Sequence, residues 1–426
     1  MDQRTTANHL LVLTSYPYKG KVHGPCTVGI ASYTKNTLFY LQKISDFQKK
    51  KLRITVLAEV LPGIKKGESY LENNITVKRL WQKNSLLTYW TLLKEIIREK
   101  DASKILFEFE ISMFGKPLTL IPLPFFLLFL KFFGKKIILV PHQFINDINE
   151  LSGHINLSRK SLKSKMLNLF ISSFYFFTFK VSDKIIVFEE IFRQKLQKFV
   201  PQHKINVIPH GVEKKQNILT RSQARQLLKL KDDFIILYFG FLGWYKGTDW
   251  LVDRIQNADY RIQGKKIKLI IAGGENPNHE NKPFYKIYCQ NIKDKANKSN
   301  GKIKITGFIK EKDIPVFFSA ADLVILPYRT FMSSSGPLSL AFTYDKPVIL
   351  SDNLHDYLKT SDFSGNLLSS DLKSEDIFFP LDKEGLFNLL KEINDQKLAK
   401  MSEFSSKMEK SRNFMAIGRM YLKEII

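Results

Sequence analysis

The chain contains very little cysteine. Cys26 and Cys289 are its only two among 426 residues, and they stand far apart. This scarcity excludes a disulfide framework and a zinc site built on clustered cysteines, so we predict no metal site. The N-terminus is polar, and the apolar run at residues 10–13 is too short for a secretory signal. Both observations predict a cytoplasmic protein.

Acidic residues are also scarce. The chain has 66 Lys and Arg against 41 Asp and Glu, a net charge of +25, and residues 1–200 hold 31 basic and 15 acidic residues. Such a surplus favours a phosphorylated substrate, an anionic membrane surface or nucleic acid as a partner, although compositional drift toward lysine gives the same numbers. No nucleic-acid-binding module is recognisable, so we do not expect nucleic acid as a partner.

Long apolar runs are missing as well. Two uncharged and strongly apolar stretches, residues 117–130 and 166–179, have 14 residues each and are closed by lysines. A membrane-spanning helix needs about 20 apolar residues, so neither stretch is predicted to cross a bilayer. Phe-rich helices of this length are either buried in a core or lie at a lipid headgroup boundary, and the sequence leaves both open.

The chain does contain a regular alternation of short apolar runs and helix-length segments, which predicts two α/β sheets. Parallel strands buried on both faces, with helices between them, form doubly wound sheets that bind ligands at their carboxyl ends. A junction is predicted at residues 205–213, and the last helix at about 398–426. The predicted strands are residues 9–14, 52–58, 105–108, 136–141 and 184–188, then 234–239, 268–272, 302–306, 323–326 and 348–350.

Two candidate site groups lie in the first half. A loop at residues 18–29 carries Gly20, Gly24 and Gly29 just before a predicted helix, where a backbone without side chains can approach a ligand closely. His142 follows the strand at residues 136–141, and an imidazole there can hydrogen-bond a sugar hydroxyl or relay a proton. Each feature also has a purely structural interpretation.

Three further candidates lie in the second half. Lys246 follows the strand at residues 234–239 and is either a cation for a leaving phosphate or a surface lysine in a turn. The Ser-Ser-Ser-Gly-Pro turn at residues 333–337 begins a helix and offers either amides for an anion or a plain helix cap. Glycine turns at residues 271–274 and 305–309 can flank a planar base.

A family resemblance rests on five segments in this order: IPHGVE, FGFLGWYKGTD, IIAGG, ITGF and ADLVILPYR…SSSGPLSLAFTYDKPVILSD. They resemble the C-terminal donor domain of retaining GT-B glycosyltransferases, group 1 or family 4-like, of the glycogen-synthase and bacterial polysaccharide type. The segments TSYPYKG…VGIASYTKNT, VPHQF and SDKIIVFEE are similar to that family's N-terminal domain. The resemblance runs over essentially the whole chain.

The resemblance implies two Rossmann-like domains facing a cleft. Residues 1–204 are expected to bind the acceptor and residues 205–407 the nucleotide-sugar donor, with a helix at about 408–426 packing back on the first domain. The implied catalytic residues are His142, which meets the transferred sugar, and Lys246, which contacts the diphosphate. The implied donor-binding residues are Gly29, Gly243, Gly273, Gly274, Gly307, Phe308, Ser333, Ser334, Ser335, Gly336, Pro337 and Leu338.

The sequence departs from the family pattern at four positions. Phe241 stands where the family has a basic residue, Val28 replaces a glycine, and Met332 and Leu340 replace the paired glutamates that approach the donor sugar and the ribose. Both glutamate contacts must therefore be made differently or not at all. Ser-Ser-Gly in this loop is similar to that of many bacterial polysaccharide enzymes.

The leading functional prediction is a retaining sugar transfer in bacterial cell-surface polysaccharide synthesis. The donor is a nucleotide-diphosphate sugar, the acceptor is a glycan or a lipid-linked molecule, and no cofactor or metal is expected. The basic first half and Phe-rich helices predict peripheral attachment to the inner face of the plasma membrane. The alternatives are an inactive GT-B scaffold that binds a glycan or a partner enzyme and, among enzymes, a sugar-nucleotide epimerase.

Overall fold

The computed structural model describes residues 8–22, 29–145, 147–151, 161–215, 219–277, 279 and 281–426, with only the backbone at residues 150 and 151. The strands in these ranges form an eight-stranded and a seven-stranded sheet. Each sheet is mainly parallel with helices packed on it, so the predicted pair of doubly wound α/β domains and the GT-B fold are confirmed.

The first sheet has the strand order β3-β4-β2-β1-β5-β6-β7-β8. Only the β3–β4 pair is antiparallel, and every side chain of β1 is buried, as expected for a central strand covered on both faces. The strands are β1 His9–Leu13, β2 Arg53–Glu59, β3 Ser69–Glu72, β4 Ile75–Trp81, β5 Lys104–Phe109, β6 Lys136–Pro141, β7 Lys184–Val187 and β8 Ile205–Val207.

The second sheet has the order β10-β11-β9-β13-β14-β15, and β12 also pairs with β11. The short β10 runs antiparallel to β11 at the edge. The strands are β9 Phe234–Phe239, β10 Arg261–Ile262, β11 Lys265–Ala272, β12 Ile303–Ile305, β13 Leu323–Leu326, β14 Val348–Ser351 and β15 Phe378–Phe379. The central strands β9, β11 and β13 end at one edge, where the glycine turns follow them.

Helices connect the strands and cover both faces of the sheets. In the first domain they are α1 Ile30–Phe47, α2 Leu87–Arg98, α3 Leu123–Phe132, α4 Leu162–Val181 and α5 Glu190–Leu196. Those that follow are α6 Arg221–Leu227, α7 Thr248–Gln256, α8 Pro283–Asn297, α9 Ile314–Ala320, α10 Gly336–Thr343, α11 Ser361–Ser369, α12 Gly385–Lys391, α13 Asp395–Arg412 and α14 Phe414–Ile425. Within the described ranges, none of them is long and apolar enough to span a membrane.

The chain end crosses back to the first domain. Phe414, Ile417 and Tyr421 of α14 are buried in the core formed with α1 and the first sheet, and the hydroxyl of Tyr421 lies 3.0 Å from that of Tyr33. A Cβ added at Gly418 would lie 2.7 Å from Ile44 Cδ1, so the two helices approach closely at this glycine. The first domain is therefore completed by the last residues of the chain.

Three sequence predictions about the architecture need correction. The last helix is not continuous, because Asn413 ends α13 and its side chain caps α14 through the amide of Ala416. Residues 205–207 form β8 and pair with β7, so the first sheet extends past the boundary drawn at residue 204. The strands β3, β4, β8, β10 and β15 were not predicted: β3, β8, β10 and β15 have four residues or fewer, and the buried side of β4 includes the charged Arg79.

Candidate functional site in the interdomain cleft

The carboxyl ends of the two sheets face each other, and loops from both sides touch. The amide of Phe144, in the loop after β6, donates to the carbonyl of Met332, in the loop after β13, at 2.9 Å. Ile145 and Ile148 of the first domain pack against Tyr245 and Met332 of the second. The strand-end groups of both domains are therefore brought to one place, as is expected for facing doubly wound sheets.

Lys246 lies in this cleft without a protein anion. Its side chain is half-buried between the rings of Tyr245 and Tyr328, whose centroids are 5.9 and 5.8 Å from Nζ. Within the described part of the chain, no acceptor lies within hydrogen-bond distance of Nζ and no carboxylate within 4.0 Å. Burial lowers the pKa of Lys246 to about 8. A cation withdrawn from water with no counter-charge is a favourable place for an anionic ligand.

Glycines in the turns after the strands allow the backbone segments around Lys246 to approach each other closely. A Cβ added at Gly240 would lie 2.9 Å from Lys246 Nζ and 3.6 Å from Pro337 Cγ, so the lysine and the start of α10 meet at this glycine. Gly247 has a φ of 71°, and a Cβ there would be 1.9 Å from the carbonyl oxygen of Pro327. A Cβ at Gly273 would be equally close to the Gly240 carbonyl oxygen. Side chains at these positions would push the turns apart.

The Ser-Ser-Ser-Gly-Pro turn is partly a helix cap and partly open. Ser335 is the N-cap of α10: its Oγ accepts from the amide of Leu338 at 3.3 Å, while its own amide donates to Tyr357 Oη at 3.2 Å. Pro337 has no N–H. Among the described residues, the amides of Ser333, Ser334 and Gly336 have no hydrogen-bond partner. These three remain available for a ligand next to Lys246.

His142 pairs with a buried carboxyl group. Its Nε2 lies 2.7 Å from Oε2 of Glu108, and its ring packs edge-on against Tyr33 and Phe188. Burial lowers the pKa of His142 to about 3 and raises the pKa of Glu108 well above its ordinary value. The other oxygen of Glu108 is buried and has no hydrogen-bond partner among the described residues, so the proton is best placed on Oε2, from which it is donated to Nε2. His142 then carries its own proton on Nδ1.

Three site residues were not assigned from the sequence. Burial raises the pKa of Glu110, at the end of β5, with Ser112 and nearby His142 acting in the opposite direction. Glu110 also lies within electrostatic range of Tyr245 in the other domain, so this carboxyl group is at the cleft. Two acidic residues in the apolar segment KILFEFE were the available signal for Glu108 and Glu110.

His210 is the third missed residue. It lies in the quoted IPHGVE segment, and its Nδ1 is 3.0 Å from Oγ of Ser339 on α10, while its ring packs on Tyr33 and Phe188. Burial lowers the pKa of His210 to about 3. The residue therefore joins the junction between the domains to the helix that begins at the serine turn.

A buried ion-pair network is hydrogen-bonded to the serine turn. Arg412 bonds both oxygens of Glu189, at 2.6 and 3.1 Å, and both oxygens of Asp362, each at 2.7 Å. Ser334 Oγ donates to Glu189 at 3.3 Å. Glu189 follows β7, Arg412 ends α13 and Asp362 lies in α11. The network thus fixes the turn relative to the first domain.

The remaining predicted residues do not form one group. Gly29 is the exposed N-cap of α1, and no described atom lies within 4 Å of a Cβ added there. Gly24, Cys26 and Val28 lie outside the described residues. Gly243 accepts through its carbonyl from the amide of Lys246 at 3.0 Å. Gly274 packs against Gly307 and the amide of Phe308, whose side chain is 62% exposed. The structure therefore brings the two glycine turns together.

The two positions that lack the family's glutamates differ in their surroundings. Met332 packs in the interdomain cluster with Ile145 and Tyr245. Leu340 lines an interdomain cavity of about 470 Å³ together with Tyr344 and Asn36. Phe241 replaces a basic residue, and its carbonyl accepts from Tyr238 Oη at 3.0 Å. Two carboxyl groups, those of Glu213 and Glu311, line the same cavity as Leu340.

Part of the sequence matches known proteins. Residues 233–371 match the family described as glycosyl transferases group 1. A 128-residue segment is 25% identical to mannosylfructose-phosphate synthase of Agrobacterium fabrum, and it spans 29% of this chain and 28% of that protein.

Solved structures match over nearly the whole chain. Sucrose-phosphate synthase from Thermosynechococcus elongatus superposes with a TM-score of 0.69 at 14% identity, over 98% of each chain. Anabaena HepE in complex with UDP gives 0.62 at 14% identity, over 98% of this chain and 99% of its own. A UDP-forming trehalose-phosphate synthase from Burkholderia vietnamiensis gives 0.67 at 11% identity, over 98% and 97%.

The fold and the cleft define the protein as one of the GT-B class, in which two Rossmann-like domains face each other. Within its second domain, residues 233–371 match the family described as glycosyl transferases group 1, and the solved structures share the GT-B fold over nearly the whole chain.

Proposed function

We propose that the protein transfers a sugar from a nucleotide-diphosphate donor to an acceptor hydroxyl in the interdomain cleft. One observation carries this proposal: the Lys246 ammonium, withdrawn from water and unpaired among the described residues, meets the start of α10 at Gly240. A diphosphate supplies the missing counter-charge and accepts from the open amides of the turn. HepE structures in complex with UDP and with UDP-glucose support a uridine diphosphate donor.

In the proposed reaction the acceptor oxygen forms a bond to the anomeric carbon while the bond from that carbon to the diphosphate breaks. The acceptor proton leaves with the diphosphate. Lys246 and the amides of residues 333, 334 and 336 stabilise the negative charge that grows on the leaving group. The Nδ1–H of His142, oriented by Glu108, is a donor for a sugar hydroxyl. We propose retention of the anomeric configuration and no cofactor or metal, because the family resemblance implies both.

A nucleotide screen tests the donor site. UDP, GDP and CDP are added to the full chain, and the unfolding midpoint is followed; saturation at about 100 times Kd adds about 2.7 kcal/mol of stability. Lys246→Ala is expected to abolish the shift. Lys265→Ala is the matched control, because Lys265 begins the same sheet's β11 at the opposite edge and pairs with Asp232. A full shift in Lys246→Ala would remove the site assignment.

A transfer assay tests the chemistry. The product's anomeric configuration, read by NMR, should equal that of the donor, and a chelator should leave the rate unchanged. Donor binding without turnover, on a panel of glycan and lipid-linked acceptors, would instead support the inactive-scaffold alternative, which the apolar packing of Met332 favours.

We further propose that the enzyme works at the inner membrane face, in cell-surface polysaccharide synthesis. The first domain exposes many large apolar side chains on α3 and α4, among them Phe125, Phe132, Met166 and Leu169. Lysines flank them, and exposed apolar patches of this size are uncommon on soluble monomers. Sedimentation with vesicles should require anionic lipid and weaken with salt. Absent or salt-insensitive binding would contradict this location.

A further inference from the structure

The helices α3 and α4 enclose a groove with apolar walls. Its volume is about 370 Å³, and its walls include Ile121, Phe125 and Leu128 on one side and Phe170, Ser173 and Phe177 on the other. Only Ser173 among these carries a polar side chain. Phe125 and Leu128 are 63% and 56% exposed, so the groove is open to solvent along its length. An apolar cleft of this kind binds hydrocarbon in preference to water.

The helices beside the groove carry more positive than negative charge. Neither α3 nor α4 contains an acidic residue, whereas Lys163, Lys165 and Lys180 lie along α4. Lys131 of α3 is paired with Asp183, just past the end of α4, at 2.6 Å. A second copy docked on the groove through the same surface would add its own lysines to this positive charge and supply no acidic residue from α3 or α4 to neutralise it. A hydrocarbon chain below an anionic headgroup matches both the apolar walls and the basic rim.

The groove also leads to the cleft. Both helices follow strands of the first sheet, so both begin at the carboxyl edge where the cleft lies and run away from it. Leu167 and Ile171 of α4, next to the groove, pack with Ile145 and Ile148, and this cluster extends to Tyr245 beside Lys246. Apolar contact is therefore continuous from the groove to the catalytic edge. From Phe170 to Val181 the groove follows α4 for about 16 Å.

We propose that this groove binds the hydrocarbon chain of a lipid-linked acceptor and directs its headgroup into the cleft. The role as acceptor rests on the proposed glycosyl transfer, but the binding of the chain does not. The inference selects the lipid-linked acceptor over a free glycan, and it goes beyond surface attachment, because a single chain is held in a defined place.

Two serines provide a matched test. Ser173 lines the groove, whereas its neighbour Ser172 is also exposed and lies outside it. Binding of dodecyl, decyl and octyl phosphate to the full chain is measured by calorimetry, below their micellar concentrations and without vesicles. We expect one site and roughly a fourfold gain in affinity per added methylene. Ser173→Trp should weaken dodecyl phosphate binding at least tenfold, and Ser172→Trp by less than twofold.

A second pair of substitutions tests the groove if the Ser173→Trp variant does not fold. Leu128 lines the groove and Phe129 does not, yet their exposure is 56% and 57%. Leu128→Asn should weaken chain binding and Phe129→Asn should not. Equal effects within either pair, or affinity independent of chain length, would overturn the proposal. So would a concentration-dependent dimer that only Ser173→Trp dissociates, because the groove's occupant would then be a second copy.

Variants of the two sites distinguish the proposed sugar transfer from the proposed binding of the hydrocarbon chain. Lys246→Ala should lose the nucleotide-induced shift and still bind dodecyl phosphate with unchanged affinity. Ser173→Trp should keep the nucleotide shift and lose chain binding. With an active enzyme, Ser173→Trp should raise the KM for a long-chain acceptor and leave the rate with a short-chain acceptor unchanged. Loss of both bindings in either variant would contradict the assignment of two sites.

Discussion

Arg412 and Lys246 are both withdrawn from water near the cleft, but their surroundings differ. Arg412 is 3% exposed and makes charge-assisted hydrogen bonds to two carboxylates, Glu189 and Asp362. Burial alone lowers the pKa of Arg412, but the two carboxylates raise it above its ordinary value. Lys246 has aromatic rings for neighbours and no carboxylate among the described residues, and burial lowers its pKa to about 8.

This difference separates a structural cation from the cation that we propose binds the ligand. The ion pairs of Arg412 join three segments of the chain and compensate its desolvation within the protein. The desolvation of Lys246 is left uncompensated until an anion arrives. Substituting Arg412 should therefore affect stability first, whereas substituting Lys246 should affect function first.

The largest effect is expected from Arg412→Ala. The substitution leaves Glu189 and Asp362 without their partner, and Glu189 is fully buried. Breaking a buried pair in this way costs about 3–5 kcal/mol. Denaturant unfolding measures the loss, and the exposed Arg419 on α14 supplies a control that should stay within about 0.5 kcal/mol of the wild type. If substituting Arg412 and substituting Arg419 cost similar free energies of unfolding, Arg412 would not be a structural cation. Its contrast with Lys246 would then be wrong.

Lys246→Ala should lower kcat strongly and change the free energy of unfolding little, in contrast to Arg412→Ala. Removing a preorganised group that stabilises the leaving charge costs about 2.7–4 kcal/mol in the transition state, a loss of roughly 10²–10³ in kcat. The free energy of unfolding without ligand should remain unchanged or rise, because an uncompensated buried charge is removed. Steady-state kinetics and denaturant unfolding are compared on the same preparation. A large loss of stability would show that Lys246 has a structural partner.

Substitutions of Glu108, the partner of His142, should lower the free energy of unfolding less than Arg412→Ala does. Glu108→Ala leaves His142 Nε2 buried without its partner, at a cost of about 1–3 kcal/mol in unfolding. Glu108→Gln should cost less, because an amide N–H can donate to Nε2 from the same position. Nitrogen-15 shifts of His142 should show a neutral ring with the proton on Nδ1. A protonated imidazolium at neutral pH would contradict the neutral pair.

The smallest expected effect is a pH dependence. Because burial lowers the pKa of Lys246 to about 8, nucleotide affinity should be constant below pH 8 and fall by at most tenfold per unit above it, about 1.4 kcal/mol. The stability of the unliganded protein should change in the other direction. Between about pH 8 and the unfolded pKa near 10.4, the unfolded chain binds more protons at this lysine, so its contribution to stability rises with pH. Lys246→Ala should abolish both trends in titrations between pH 7 and 10.

Much of the fold was predictable because its signal is local. Strands such as β6 and β9 are short apolar runs bounded by polar residues, and both have the predicted bounds. The β3 strand escaped prediction because its side chains are exposed and weakly apolar. The helix break at Asn413 was missed for another reason: an asparagine fits a helical pattern as well as a cap, and only the crossing back to the first domain requires the cap.

The candidate site was predictable only in part. Lys246 and the serine turn were identified because glycine, proline and serine at strand ends carry a local backbone signal. Glu108 was not, because its pairing with His142 joins two adjacent strands 34 residues apart. The helices α3 and α4 illustrate the same limit. Their inner faces are buried in the core, as one interpretation of the sequence predicted, whereas their outer faces are exposed and contact with a headgroup boundary stays a prediction.

The sequence by itself determined the alternation of strands and helices, the excess of positive charge and the glycine turns at the strand ends, because each depends on residues close together in the chain. Only the tertiary structure decided which charges are paired. Arg412 meets Glu189 across 223 residues, and Lys246 meets no carboxylate among the described residues. That outcome depends on how two sheets and a returning helix pack. The pairing makes Arg412 a structural cation, and its absence makes Lys246 the cation that we propose binds the ligand.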